Sequence, residues 1–228
     1  MRSGQAAAVA IPLVLLALLA GCGGEPPEAS PAPSASETET PTPTPTPEPT
    51  APAAADLVLT TSGMGTLEFG VAPSTDPVTQ MIAVDPAACA EFWPVGSPEA
   101  SRPRPIAAYG GSTTPMFGVV VLDGVLTRID LFTPDIPTDA GIRIGSTAAD
   151  VSAAYPSATV TTLDLTDVVT VADEHGTLMI EIARERGLFD TAYWDAGVTD
   201  RVVYVRGTVA GTATFTVVAS ENIAGGCL

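Results

Sequence analysis

The chain has 228 residues, and its 26 acidic side chains face nine arginines, one histidine and no lysine, for a formal charge of -17. A protein that tracks nucleic-acid phosphates needs a basic face, which this balance does not supply, so no nucleic-acid partner is expected. Without a lysine amine there is no Walker A loop, no Schiff base to pyridoxal phosphate and no Ser-Lys hydrolase.

Arg2 and the apolar run over 6–20 have the form of an export signal, too short for a comfortable membrane span. The run ends in Leu19-Ala20-Gly21-Cys22, which resembles a bacterial lipobox. The resemblance implies that Leu19, Ala20 and Gly21 direct signal cleavage. It also implies that the Cys22 thiol takes a diacylglyceryl group, with acyl chains such as palmitate anchoring the mature chain in the membrane. An ordinary secretory signal that happens to contain a cysteine is the other reading. Residues 1–21 are then the signal peptide, and the location is the extracytoplasmic face of the cell membrane.

Residues 22–55 form a linker of Pro, Thr, Ser, Glu and Ala that includes Pro41-Thr42-Pro43-Thr44-Pro45-Thr46-Pro47-Glu48-Pro49. From Gly23 onward it holds no large apolar side chain, so nothing offsets the entropy of ordering it. In polyproline II form, at roughly 3.1 Å per residue, it would reach up to ~90 Å. Its alternating Thr and Pro resemble the sugar-bearing stalks of actinobacterial surface proteins; an unmodified spacer is the alternative.

Residues 56–228 hold 21 acids and eight arginines and are long enough for one domain with its own core. Two halves, about 56–132 and 133–228, share a pattern: Leu67-Glu68-Phe69-Gly70 and Ile142-Arg143-Ile144-Gly145 are each apolar, charged, apolar, glycine. The pattern predicts a short helix after each, over 74–83 and over 146–154. The second has Ser146 as N-cap, a stripe of Val151, Ala154 and Tyr155, and Pro156 as its stop. Strands are predicted over 106–109, 117–122 and 125–132, the last two joined by Asp123-Gly124, a strong hairpin pair. Further strands are predicted over 158–164, 168–172, 177–183, 201–205 and 213–219, with turns at Glu174-His175-Gly176 and Arg206-Gly207. Short connections make the pairing mostly antiparallel. The expected class is α+β: a tandem repeat of short helices packed on a mostly antiparallel sheet.

Gly63, Gly65, Leu67 and Gly70, followed by Thr138, Gly141, Ile142, Gly145, Thr147, Asp150 and Val151 and by a Gly226-Cys227 tail, resemble a loosely defined group of uncharacterised actinobacterial lipoproteins. More distantly, two helix-then-sheet units resemble the tandem repeats of the beta-lactamase inhibitory protein and the single unit of small outer-membrane-assembly lipoproteins. The resemblance implies a fold more than a function, because its motifs are structural glycines and turns.

With Cys22 assigned to lipid, Cys89 and Cys227 remain in an oxidising setting, where a disulfide between them is the economical reading. A free reactive thiol would need a neighbouring cation or histidine, and neither cysteine has one nearby in sequence. His175, the sole imidazole, lies in a turn beside acids, so no catalytic residue is assigned. Ser112 reads as a loop residue. Zinc lacks its ligands, and the acidic runs 130–139 and 164–174 lack the spacing of a calcium loop, so no metal or cofactor is assigned. Phe92 or Trp93 is expected to pack near the disulfide. Phe189, Tyr193 and Trp194, in the loop 187–197, form a candidate contact patch, against the reading that this loop folds back over one end of the sheet. The function expected is a non-enzymatic binding or assembly module of the cell envelope with an envelope-protein partner. The alternatives are an inhibitor-like domain acting on an extracellular enzyme and a carboxylate-dependent wall hydrolase.

Overall fold

Residues 50–90, 93–98, 104–110, 114–185, 187–188, 191–212, 215–220 and 223–225 are described by the computed structural model. Leu19, Ala20, Gly21, Cys22, the linker to residue 49, Phe92, Ser112, Phe189, Gly226 and Cys227 lie outside the described residues. After a 3-10 turn at Ala54–Asp56 come three two-residue strands, β1 (Leu59–Thr60), β2 (Gly63–Met64) and β3 (Leu67–Glu68), paired antiparallel in that order. Next, β4 (Ile82–Asp85) and β5 (Arg104–Ala107) form an antiparallel ladder. The chain continues through β6 (Phe117–Leu122), β7 (Val125–Leu131), α1 (Ala148–Ala154), β8 (Thr159–Thr162), β9 (Thr166–Ala172) and β10 (Gly176–Ala183). It ends with the small ladder β11 (Gly187–Leu188) and β12 (Thr191–Ala192), then β13 (Val202–Val209) and α2 (Val217–Ser220).

The principal sheet is six-stranded, in the order β6-β7-β13-β10-β9-β8, and every neighbouring pair is antiparallel. The late strand β13 is inserted between β7 and β10. One face carries Phe117, Val119, Ile129, Leu131, Val205, Leu178, Ile180, Ile182 and Val169, and it buries them against Leu57, Leu59, Met64, Leu67, Met81, Ile136, Ile142 and Val151. Alternation along each strand puts Asp130, Glu181 and Arg206 on the opposite face. A Cβ at Gly207 would stand 2.8 Å from Phe69 Cζ and 3.2 Å from Leu59 Cδ1, so only glycine lets the β1–β3 unit pack this closely on β13.

Local turn chemistry behaves as the residues predict at two hairpins. Asp123 (φ 51°) and Gly124 (φ 83°) both take the left-handed conformation that a two-residue β6–β7 connection needs. Asp173 Oδ1 accepts from the N–H of His175 at 2.8 Å and of Gly176 at 3.1 Å, closing the β9–β10 turn.

Four local expectations are corrected. Residues 74–83 form no helix. Asp76 closes a single turn, its carboxylate accepting from Val78 N at 2.9 Å, and the chain then extends so that Ile82 pairs with Ala107 in β5. The second helix is capped by Thr147 and not Ser146. Thr147 and Asp150 exchange side-chain and backbone hydrogen bonds in a capping box, while the Ser146 hydroxyl accepts from Arg143 N at 3.0 Å. Arg206-Gly207 is not a turn but the middle of β13. Of the strand predicted over 213–219, the described part leads into α2, because Val217 and Val218 give their N–H groups to Glu181. The sheet-rich, mostly antiparallel part of the expected class stands; two equal helix-then-sheet units are not what the structure displays.

Candidate functional site

The charged face of the sheet is a buried network. Arg206 forks onto Asp130, Nε to Oδ1 at 2.7 Å and Nη2 to Oδ2 at 2.9 Å, and both residues are about as buried as the apolar core, at 1% and 2% exposure. Arg206 Nη1 also donates to the Phe215 carbonyl, Asp130 Oδ2 accepts from Ala224 N at 2.7 Å, and Glu181 accepts from Val217 and Val218 N–H. Phe215, Val217, Val218 and Ala224 are thus tied to this face by backbone groups bonded to three charged side chains. Burial pushes the Glu181 carboxyl above its ordinary range, against the opposing pull of the Val217 and Val218 N–H groups, the Arg206 charge and Thr166. Burial likewise lowers the Arg128 guanidinium, which sits 3.5 Å from Asp130. These groups are consumed in holding the chain together.

The residues singled out by sequence fall apart in space. His175 is exposed in its turn, with Nε2 3.7 Å from Glu174. It borders an open cleft of about 430 Å³ lined by Thr60, Ser62, Gly63, Glu68 and Phe69. Tyr193 is 46% exposed and meets Trp194 edge-on at 4.9 Å between centroids. Trp194 Nε1 donates to the Leu165 carbonyl at 3.0 Å, which ties this loop to the β8–β9 connection. Cys89 is fully buried, and Trp93 is half-buried. Among the described residues no three of His, Cys, Asp or Glu are placed to hold a metal ion, and no helix is long and apolar enough to cross a membrane.

The two edges of the principal sheet differ. Beside β6, Gly118 lies so close to the C-terminal segment that a Cβ there would be 2.0 Å from the Ala224 carbonyl, and β5 packs against the same strand. At β8 all four residues, Thr159, Val160, Thr161 and Thr162, are exposed. Among the described residues no backbone hydrogen bond reaches its outer side. At the Thr159 end of β8 lies a groove of about 430 Å³ lined by Tyr155, Pro156, Ala158, Thr159, Val171 and Ala172. The β8–β9 register runs without a bulge, and β8 carries no charge and no proline, so of the usual protections of an edge strand only its four-residue length remains. Sequence reasoning passed over this edge. The available signal was the uncharged run Pro156-Ser157-Ala158-Thr159-Val160-Thr161-Thr162-Leu163 in a chain otherwise rich in acids.

No family model matches the chain, and no curated protein matches it. Among solved structures, the chain is similar to the crystal structure of the uncharacterised protein yfeY from Escherichia coli. The likeness has 14% identity and a TM-score of 0.39, and it covers 66% of this chain and 99% of that one.

Proposed function

We propose that this protein is a lipid-anchored module on the extracytoplasmic face of the cell membrane that works by binding an envelope-protein partner and not by turnover. The observation that carries the binding role is the bare edge at β8, a row of backbone donors and acceptors in an exposed strand whose first residue borders a groove. The anchoring role rests on the export run and on Leu19-Ala20-Gly21-Cys22.

The Cys89–Cys227 pairing belongs to the same reading. Cys89 is buried four residues after β4, and Gly225, two residues before Cys227, packs against Gly118 and Pro105 of the neighbouring β5. The two halves are read as diverged copies. Leu67 and Ile142 are both buried, Glu68 and Arg143 exposed, Phe69 and Ile144 half-buried, and Gly70 and Gly145 both take positive φ.

In-cell crosslinking of the native protein followed by mass spectrometry tests the binding role: one dominant envelope protein is expected, and its absence overturns the reading. Palmitate labelling tests the anchor. Label and membrane association are expected in the native chain and lost in Cys22→Ser; a Cys22→Ser chain that stays with membranes overturns it.

A further inference from the structure

We propose that the partner taken up by the β8 edge is a second copy of this chain, the two β8 strands pairing antiparallel about a two-fold axis at Thr161. The inference rests on the binding-module reading above and names the occupant: the envelope protein bound at this edge is another molecule of the same chain.

The backbone fixes the register. Leu163 N donates inward to the Thr166 carbonyl at 2.9 Å, so by the alternation of an antiparallel ladder Thr161 and Thr159 also face β9. The N–H and C=O groups of Val160 and Thr162 therefore face outward. A two-fold axis at Val160 would need the Ala158 N–H, which is already given to the Tyr155 carbonyl at 3.1 Å. An axis at Thr162 would carry Asp164 into the ladder opposite Val160. The axis at Thr161 pairs Val160 of each copy with Thr162 of the other, each pair exchanging both N–H···O bonds, and leaves no outward group of β8 unmatched. Val160, 60% exposed on the side of the sheet where Val169 lies, is then covered by Thr162 of the second copy. Thr161 meets its own mate, and the half-exposed Leu163 comes beside Thr159, which borders the groove.

Charge selects the occupant. At -17 two copies repel wherever acids face each other, and the run from Pro156 to Leu163 is uncharged. About Thr161 that run lies along itself, and Asp164, the first acid beyond it, falls opposite Ala158 and not opposite another acid. Asp167, the acid of β9 beside this strand, is taken up by Arg184 at 3.6 Å and by the Thr162 hydroxyl at 2.7 Å. An edge without charge of either sign has nothing with which to select a charged segment, and its own copy matches its outward pairs residue for residue. At the opposite edge of the sheet β6 has β5 and the C-terminal segment against it, so a two-fold contact at β8 closes the assembly at two copies. With only four residues in β8 the contact is weak in free solution, and confinement of both copies to one membrane favours it.

The test reads the oligomeric state and the register. In the native envelope, Thr161→Cys is expected to oxidise to a covalent dimer, while Thr159→Cys, which faces Leu163 of the other copy, stays monomeric. With the purified full chain, sedimentation is expected to show a concentration-dependent dimer and no larger species. The Val160 and Thr162 amides are expected to gain protection from hydrogen exchange as concentration rises. Val160→Pro removes an outward N–H without touching the ladder to β9, and Val160→Glu keeps that N–H but sets an acid beside Asp167 of the other copy. Each is expected to weaken the dimer roughly tenfold or more. A monomer at every concentration, protection confined to other strands, or equal crosslinking at positions 159 and 161 each overturn the inference. If a photo-crosslinker at residue 160 then captures a different envelope protein in cells, the binding-module reading survives and only the second copy falls. If that capture also fails, both fall.

Discussion

Arg206 shows how much one side chain can hold. Its guanidinium balances Asp130, lies within electrostatic reach of Glu181 and fixes the Phe215 carbonyl, all at 1% exposure. Replacing it with methionine strands buried carboxylates, and Arg206→Met is expected to cost about 3–5 kcal/mol, read from the urea midpoint at an unchanged slope. Arg206→Met combined with Asp130→Leu is expected to cost less than the single change, because the Asp130 carboxylate is then not left buried without its cation. Glu181 makes a signed pH prediction. Its carboxyl is raised above 4.5 by burial, so over the window upward from that value the folded chain holds a proton that the unfolded chain has released. Stability therefore falls as pH rises through the window. Glu181→Gln is expected to flatten that fall, as measured by urea unfolding across pH. The clue to these residues in the sequence was a charge at alternating positions within apolar strands, as in Arg128-Ile129-Asp130-Leu131 and Ile180-Glu181-Ile182. It was not decisive, since the same pattern describes a strand with one solvated face.

At the level of elements, local chemistry succeeded where the needed partners lie within four residues. Asp123-Gly124 dictates its hairpin because only certain residues accept two successive positive φ angles. The capping box of α1 is equally local, and Thr147→Ala is expected to lower stability by about 1 kcal/mol, visible as a lower Tm. The Thr147 hydrogen bonds hold the Asp150 carboxyl below its ordinary range, so their support fades only as pH falls through that lowered value. Residues 74–83 went the other way: Asp76 closes one turn, but Met81 and Ile82 are both buried and the second pairs with β5, which outweighs a marginal isolated helix. Gly118 sets the position of the C-terminal segment. Gly118→Ala is expected to push that segment off the sheet while the β6–β7 hairpin persists, seen as faster proteolytic loss of the C-terminus.

For the whole molecule, the prediction concerns covalent closure. A Cys89–Cys227 bond would enclose well over a hundred residues and stabilise the fold by roughly 4 kcal/mol in the chain-entropy model. Reductant is therefore expected to lower the Tm of the native chain, and Cys89→Ser to lower it without reductant. Equal melting temperatures with and without reductant would remove the bond from this account.

Composition alone excluded lysine chemistry, because that amine is not in the chain. Turn residues and alternation likewise identified most strands and their antiparallel sense, since both are set by neighbours along the backbone. The insertion of β13 between β7 and β10 was decided only in three dimensions, as were the burial of Arg206 against Asp130 across 76 residues and the choice of β8 as the bare edge. The physical reason is common to all three. An alternating strand specifies which of its side chains face inward, but which strand lies beside it depends on contacts made only when distant segments close together.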